Sequence, residues 1–507
     1  MKRLFHFLVR IEPLFFILVA NILLRIPNLF EPYWYGDEGI YLTVGLALRN
    51  GLTLYKDIID HKTPIIYLLA MVPSQFWFKL LLMAWTTCML ALFYRVAERF
   101  FTTKKQAYLA TFFLLLLTAL PFFEGNIANG ELFVMGFMLG GLALLTQTSL
   151  WHSFFHHKEK RILDVVPLFG VGVLFSLGAL TKVPAIFDAA AVGVLFFFLY
   201  LRKPSWEVLS ALLKATIILA MGFAIPILLS IAYFVAKHAL GDYLAFGLLY
   251  NFRYSFEFSP PFSHPFLLFL FSMPGKLSAF AAIIALLIFA RKKLSPQAVF
   301  VYAWMALTLF SALLSSRPYP HYFLQTFPPL ALALAFWFGK VKSTIESSLV
   351  PVLCVLPLVL ILVGFQSGQY PMLSYYTTFL QFIRHDISIE QYREQFNPLM
   401  ADTYAAASYI QQTTPSNSRL FIWGTDPMLY ALARRVPSGR FTVSFHIKDF
   451  NAYQETMDSL VAHPPQVIVV MRNEDGKFPD FYTYLNGQYV LVKQLPTMNL
   501  YRRVGSK

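Results

Sequence analysis

Charge is what this 507-residue chain has least of. Asp, Glu, Lys and Arg make up 13% of it, against roughly 25% in soluble domains. With 57% hydrophobic residues and a mean hydropathy of +0.57, that scarcity excludes an ordinary soluble domain and points to a polytopic membrane protein. Cysteine is nearly missing. Cys88 and Cys354 both sit inside apolar runs, so neither a disulfide framework nor a thiolate metal cluster is expected. No small-residue cleavage site follows the first apolar segment, Ile11 to Phe30, which therefore reads as a retained span and not a signal peptide. No short-period repeat is visible.

Acidic residues are scarcer than basic ones, and the net charge is +14. The distribution argues against nucleic acid as the reason. Lys2-Arg3, Lys104-Lys105, Lys158 to Arg161, Arg202-Lys203, Arg291 to Lys293 and Lys340-Lys342 are short clusters between apolar runs. That is the positive-inside pattern of cytoplasmic loops. Spans need about 20 apolar residues each. We place them near 11–30, 76–97, 107–122, 131–149, 164–181, 183–201, 208–236, 266–290, 297–314, 321–338 and 348–366, about eleven in all. With Lys2-Arg3 inside, every cluster falls on one face. The loops 31–75, 122–130, 237–265 and 315–320, and the tail after about residue 367, fall on the other.

The fold expected is thus mainly α, a polytopic membrane protein with a small C-terminal α/β domain outside the cytoplasm. Residues 1–366 form the membrane domain and 367–507 the outer domain. In the loop 31–75, Gly39 to Arg49 has helical apolar spacing at Ile40, Val44, Ala47 and Leu48, and Pro64 to Met71 is too short to span. Both read as interfacial helices. In the tail, Leu420-Phe421-Ile422-Trp423 and Val467 to Met471 read as buried strands. Ala401 to Gln412 and Asp449 to Val461 read as helices.

The chemistry-bearing residues concentrate in the outer loops. Tyr33-Trp34-Tyr35-Gly36-Asp37-Glu38-Gly39 places two carboxylates beside a span, where charge is costly. Either acid serves equally well as a helix cap or as a general base. In Asp60-His61-Lys62-Thr63-Pro64, Lys62 is a cation on the face that the charge bias disfavours. It reads as a snorkelling lysine or a phosphate ligand. Glu131 follows Asn129-Gly130 at a span start, as a cap-region acid or a second catalytic acid, and Glu124 in the same loop is the lesser substitute. Arg317-Pro318-Tyr319-Pro320-His321-Tyr322 is a proline-stiffened basic and aromatic cluster, either an interfacial anchor or an anion clamp. Lys182, Arg253 and His264 are weaker candidates. His61, His264 and His321 could bring a divalent metal together, although their spacing does not demand one and no cofactor is required. His156-His157 reads as part of a solvated cytoplasmic loop.

The residues occur in a fixed order. A first-loop Asp37-Glu38 is followed by Lys62-Thr63-Pro64 leading a short helix, then Glu131 after the third span, then His321-Tyr322 before a proline-rich span. This order resembles the bacterial relatives of dolichyl-phosphate-mannose protein mannosyltransferases and of the lipid A aminoarabinose transferase, in the C-type superfamily of polytopic glycosyltransferases. Phe421 to Pro427, with Tyr430 and Arg440, is similar to their outer domain. The resemblance implies that Asp37 activates the acceptor hydroxyl, with Glu38 its neighbour in the motif and Glu131 the second acidic position. It implies that Lys62 holds the lipid-linked phosphate, which Tyr322, Arg317 and His321 also contact. The chain departs at His61, where the aminoarabinose enzymes carry glutamate, so no metal site is carried over.

The function this implies is inverting transfer of a sugar from a polyprenyl-phosphate donor to an envelope lipid, glycan or protein. It would take place on the outer face of the plasma (inner) membrane, with the N-terminus cytoplasmic and the bilayer itself a partner. A polytopic transporter or lipid flippase is the alternative. It would place its essential ionisable groups near the midplane and not in outer loops.

Overall fold

The computed structural model describes residues 12–156, 164–256, 264–317, 319–339, 344–364, 372–474 and 478–505. Lys2-Arg3, His157, Lys158 to Arg161, Pro318 and Lys340-Lys342 lie outside them. The chain divides into two compact units. The first comprises Met1–Ile26, Leu81–Ala232 and Phe252–Met372, and the second Pro27–Leu80, Tyr233–Asn251 and Leu373–Lys507.

Apolar helices build the first unit. Among the described residues, six stretches of the chain are long and apolar enough to cross a membrane: Pro13–Phe30, Gln75–Phe100, Ala185–Arg202, Trp206–Ala236, Met273–Ala290 and Pro296–Leu313. A seventh is added if Gly130–Leu145 and Ser149–Phe155, bent by 83°, count as one. The other segments expected to span hold shorter pieces. Lys104–Ala119 and Val165–Ala179 are single short helices. The stretch near 321–338 opens as a 3-10 turn, Pro320–Thr326, before Phe327–Phe338. Pro328 and Pro329 have no N–H to give to the carbonyls of Leu324 and Gln325, so an unbroken α ladder cannot run through the junction. Serine caps set two of the helix starts. Ser272 Oγ accepts from the Gly275 N–H and Ser295 Oγ from the Ala298 N–H.

Two buried polar clamps hold this unit. Trp304 Nε1 and Gln325 Nε2 donate to the two oxygens of Asp188, at 2.8 and 2.9 Å. The fully buried Arg25 donates to the carbonyls of Gly125 (2.7 Å) and Thr118 (2.6 Å) and to Asn21 Oδ1 (3.1 Å). It thereby fixes the 120–126 loop, where Glu124 sits at φ +59°.

The second unit is built on a five-stranded sheet. Its strands are β1 (Arg419–Trp423), β2 (Val436–Pro437), β3 (Val467–Met471), β4 (Tyr489–Gln494) and β5 (Met498–Arg503), in the order β2-β1-β3-β5-β4. Strands β2, β1 and β3 are parallel, and β5 and β4 are antiparallel additions. Phe421, Trp423, Ile468 and Val470 enter one apolar cluster. Leu420, Ile422, Val467 and Val469 enter another. A parallel sheet covered on both faces requires continuous apolar strands, which is why these two runs were readable. The expected helices also form, as Met400–Thr413 and Tyr453–Ala462.

The first outer segment packs into this unit. The Ile59 N–H donates to the Arg440 carbonyl at 2.9 Å, and the Ile59 side chain joins the same apolar cluster as Phe421. The Gly36–Arg49 helix is buried from Glu38 to Ala47. It is therefore packed within protein and does not lie with one face on lipid as expected. Two glycines allow the close approach. A Cβ at Gly45 would lie 2.2 Å from the Ala70 carbonyl oxygen, and one at Gly39 would meet Met428 at 2.7 Å.

Candidate functional site

In the second unit, Asp37 stands in the first turn of the Gly36–Arg49 helix, where the macrodipole favours an acid. Tyr35 takes the N-cap position, so neither Asp37 nor Glu38 is the cap. Lys62 Nζ lies 3.5 Å from Asp37 Oδ1 and 3.7 Å from Asp60 Oδ2, and 5.2 Å from the Tyr41 ring centre. The Asp37 side chain is 30% exposed and that of Lys62 only 7%. The acid thus meets solvent while the cation is held from behind.

A buried scaffold fixes the lysine. The Tyr67 hydroxyl donates to Asp60 Oδ2 at 2.6 Å and accepts from the Lys62 N–H at 3.1 Å. Tyr55 donates to the Lys62 carbonyl at 2.6 Å, and Asn251 to the His61 carbonyl at 2.8 Å. Burial raises the Tyr67 phenol well above its ordinary range, with Asp60 adding to the effect, so Tyr67 stays a donor. Burial also pushes the Asp60 carboxyl up, but Lys62, then His61 and His446, outweigh it and hold the group well below its ordinary value.

Asp60, His61 and His446 form the metal-capable group among the described residues, their ligand atoms all within 4.8 Å of one another. His61 Nδ1 lies 3.0 Å and His446 Nε2 3.7 Å from Asp60 Oδ1. Of this set only His61 was singled out from the sequence, and its anticipated companions His264 and His321 are engaged elsewhere. Both ring nitrogens of His446 are buried without a hydrogen-bond partner. Burial pushes this imidazole down to about 3, with Asp60 opposing and His61 reinforcing. The His61 imidazole is lowered as well, by burial and then Lys62. Two neutral imidazoles and one ionised carboxylate make a donor set that fits a divalent cation.

Glu38 has a different setting from its neighbour. It is buried, 2.9 Å from Lys79 Nζ, and Lys79 also reaches Glu31 at 3.0 Å. Burial pushes the Glu38 carboxyl up to about 7, Lys79 opposing and Glu31 adding.

The first unit holds a second cluster. Glu131, in the first turn of the Gly130–Leu145 helix after the N-cap Asn129, is ion-paired with Lys182. His321 Nε2 lies 4.0 Å from Glu131, and His321 Nδ1 is paired with Glu124. Lys182 Nζ is 4.4 Å from the Tyr322 ring centre. The Tyr322 and Tyr254 hydroxyls are 3.3 Å apart, and the Arg317 guanidinium stacks 4.0 Å from the Tyr254 ring centre. Lys182, rated weakly from the sequence, is therefore central here, and Glu124 is a full member. His264 joins neither cluster. It is exposed and caps the Pro265–Phe271 helix, its Nδ1 accepting from the Phe266 N–H at 3.3 Å. Arg253 is exposed on the Tyr250–Phe256 helix.

Asp60 and His446 escaped the sequence reading. Asp60-His61-Lys62 is a run of three polar groups in a chain poor in charge, a signal that could have found Asp60. His446 carried no local signal.

Apolar helices bearing paired polar clusters, joined in sequence to a covered α/β sheet, define a polytopic membrane protein with a second, mixed unit. The chain has the fold of ArnT from Cupriavidus metallidurans, solved bound to undecaprenyl phosphate. The TM-score is 0.58 with 14% identity, covering 96% of this chain and 98% of that one. Two Archaeoglobus fulgidus oligosaccharyltransferase structures align at 13% identity. One is the apo form, at a TM-score of 0.46 over 90% of this chain and 69% of that one. The other is AglB in complex with an inhibitory peptide and a dolichol-phosphate, at 0.45 over 97% and 74%. No family model and no curated protein matches the sequence. The fold agrees with the superfamily resemblance read from the residues.

Proposed function

We propose that the protein is an inverting glycosyltransferase that takes a sugar from a polyprenyl-phosphate donor and gives it to a lipid, glycan or protein of the cell envelope. The observation that carries this reading is the Asp37–Lys62 pair, a solvent-reachable carboxylate 3.5 Å from a nearly buried ammonium. The fold shared with a protein solved on undecaprenyl phosphate supports a lipid-linked donor. In this proposal about eleven spans within residues 1–366 carry the donor, and residues 367–507 lie outside the inner membrane, with the N-terminus cytoplasmic.

Asp37 takes the proton of the acceptor hydroxyl as that oxygen attacks the anomeric carbon. The bond from the carbon to the phosphate oxygen breaks on the opposite side, and the polyprenyl phosphate leaves with the electron pair. Lys62 meets the charge that develops on it. One displacement inverts the carbon, and no glycosyl-enzyme is formed. In the first unit, Arg317, His321 and Tyr322 are assigned to phosphate binding, and Glu131 holds Lys182 ready for an anion. Glu38 acts by holding the Asp37 helix through Lys79, and not on the reacting atoms. Asp60, His61 and His446 would hold a divalent cation, which adds positive charge beside Lys62.

The test supplies the purified protein, in lipid, with a panel of polyprenyl-phosphate sugars and envelope acceptors, and compares it with Asp37→Asn. Transfer by the wild type and its loss in the variant are expected. If no sugar moves from any donor, or the variant is fully active, the reading fails. A transporter would instead depend on an acid within the spans. Asp188, in the Ala185–Arg202 helix, is that acid, and substrate uptake lost in Asp188→Asn but kept in Asp37→Asn would select transport.

A further inference from the structure

The helix that carries Asp37 has a second polar feature at its other end. A cavity of about 320 Å³ in the second unit is lined by Tyr33, Leu46, Arg49, Ser74 and Arg434, among others. At 100° per residue, Leu46 falls on the side of the helix opposite Asp37, and Arg49 lies about 18 Å along the axis from it. The cavity is therefore a separate place from the Asp37–Lys62 pair.

Two guanidiniums line this concavity. Both are exposed, and among the described residues neither is ion-paired with a carboxylate. Burial and then the neighbouring charge of Arg434 lower the Arg49 guanidinium, as expected of like charges brought together without a counterion. Arg434 stands at φ +55° just after the Met428–Ala433 helix, a left-handed position normally filled by Gly or Asn. An arginine kept in that conformation is a local strain of the kind that collects at ligand sites. The Tyr33 hydroxyl accepts from the Gln75 N–H at 2.9 Å, which leaves its own proton to donate. Fork-shaped donors from two arginines, with a phenol beside them, match the oxygens of a phosphate.

We propose that this cavity binds the phosphate group of an anionic ligand between Arg49 and Arg434. The source is either an anionic lipid headgroup or free phosphate, and the proposal stands whether or not the protein transfers sugar. Full-length protein in phosphatidylcholine nanodiscs is titrated with dihexanoyl phosphatidic acid and, separately, with inorganic phosphate. Wild type is compared with Arg49→Gln, Arg434→Asn, the double variant and Lys62→Met. Asparagine tolerates the left-handed backbone, and both arginines are exposed, so the variants retain the fold. Saturable binding of at least one probe is expected, weakened about tenfold in each single arginine variant and about a hundredfold in the double. Lys62→Met should remove any binding at the Asp37–Lys62 pair and leave the component that the double arginine variant loses. Binding of phosphatidic acid alone identifies a lipid headgroup, and binding of both probes identifies phosphate itself. No saturable binding, equal affinity in wild type and the double variant, or loss in Lys62→Met alone overturns the proposal.

Discussion

Glu38 allows a prediction that separates it from the acid beside it. Its carboxyl, ordinarily at 4.5, is pushed to about 7 by burial, so the folded protein keeps a proton that the unfolded chain gives up. A group with a raised folded-state value contributes stability that is fully present below the unfolded value and lost as pH climbs through the folded one. The window here is therefore from about pH 4.5 to about pH 7. At about 1.4 kcal/mol per pH unit of difference, the loss comes to about 3 kcal/mol. The Lys79 ammonium at 2.9 Å is already included in that balance, because it opposes the shift without cancelling it. Glu38→Gln should remove the dependence and leave a neutral side chain near Lys79, which retains Glu31 at 3.0 Å. The assay is thermal unfolding in detergent at pH 5 and pH 8, read by tryptophan fluorescence. Between these two values wild type should lose roughly 5 °C more than the variant. Equal pH dependence in the two proteins would refute the assignment, because the lowered His61 and His446 imidazoles contribute alike to both.

Other outcomes follow from single contacts. Arg25→Met strands the carbonyls of Thr118 and Gly125 in the first unit and should cost about 3 kcal/mol of stability; an unchanged melting temperature rejects the clamp. Gly45→Ala drives a methyl to 2.2 Å from the Ala70 carbonyl and should destabilise by about 1–3 kcal/mol, whereas an alanine variant as stable as wild type shows that the two segments are not so close. Elemental analysis of purified protein should find about one divalent ion per chain, lost in His446→Ala; the same metal content in both excludes the Asp60–His61–His446 set. Lys62→Met should lower the transfer rate by about a hundredfold or more, with Lys62→Arg partly active, and an unaltered rate in Lys62→Met removes the lysine from the reaction.

What the sequence made legible were features whose physics is local. Leu420 to Trp423 and Val467 to Met471 announce strands because a sheet covered on both faces needs apolar residues in succession. The Gly36–Arg49 helix was visible in its spacing. Its burial was not, since that depends on Ala70 and Met428 approaching two glycines. Asp37 and Glu38 read as one motif but belong to different pairs, because successive residues on a helix point about 100° apart. One acid meets Lys62 and the other Lys79. His446 was illegible for a different reason. A lone histidine in a short helix becomes a candidate ligand only once the sheet is folded and Ile59 is tied to Arg440, which brings in Asp60 from the other end of the chain.

The two lysines share a design that the sequence did not disclose. Lys62 lies between the carboxylate of Asp37 and the face of Tyr41. Lys182 lies between the carboxylate of Glu131 and the face of Tyr322. An aromatic face attracts the ammonium without offering it a hydrogen-bond acceptor. At Lys62 a second carboxylate, the buried Asp60, also lies 3.7 Å away, so an incoming phosphate competes with the partly exposed Asp37 while Asp60 stays behind the lysine. Two unit charges at 3.5 Å and an effective dielectric of 20 attract by about 5 kcal/mol. A phosphate with more charge than a carboxylate can exceed that without any rearrangement of the ring beneath. In the Asp37–Lys62 pair the displaced carboxylate is the partly exposed partner. In the proposed reaction, arrival of the phosphate would thus loosen the contact between Asp37 and Lys62 and leave that acid more basic than before. On this account donor binding itself prepares Asp37 to accept a proton, and a carboxylate placed beside the lysine is the arrangement that permits it.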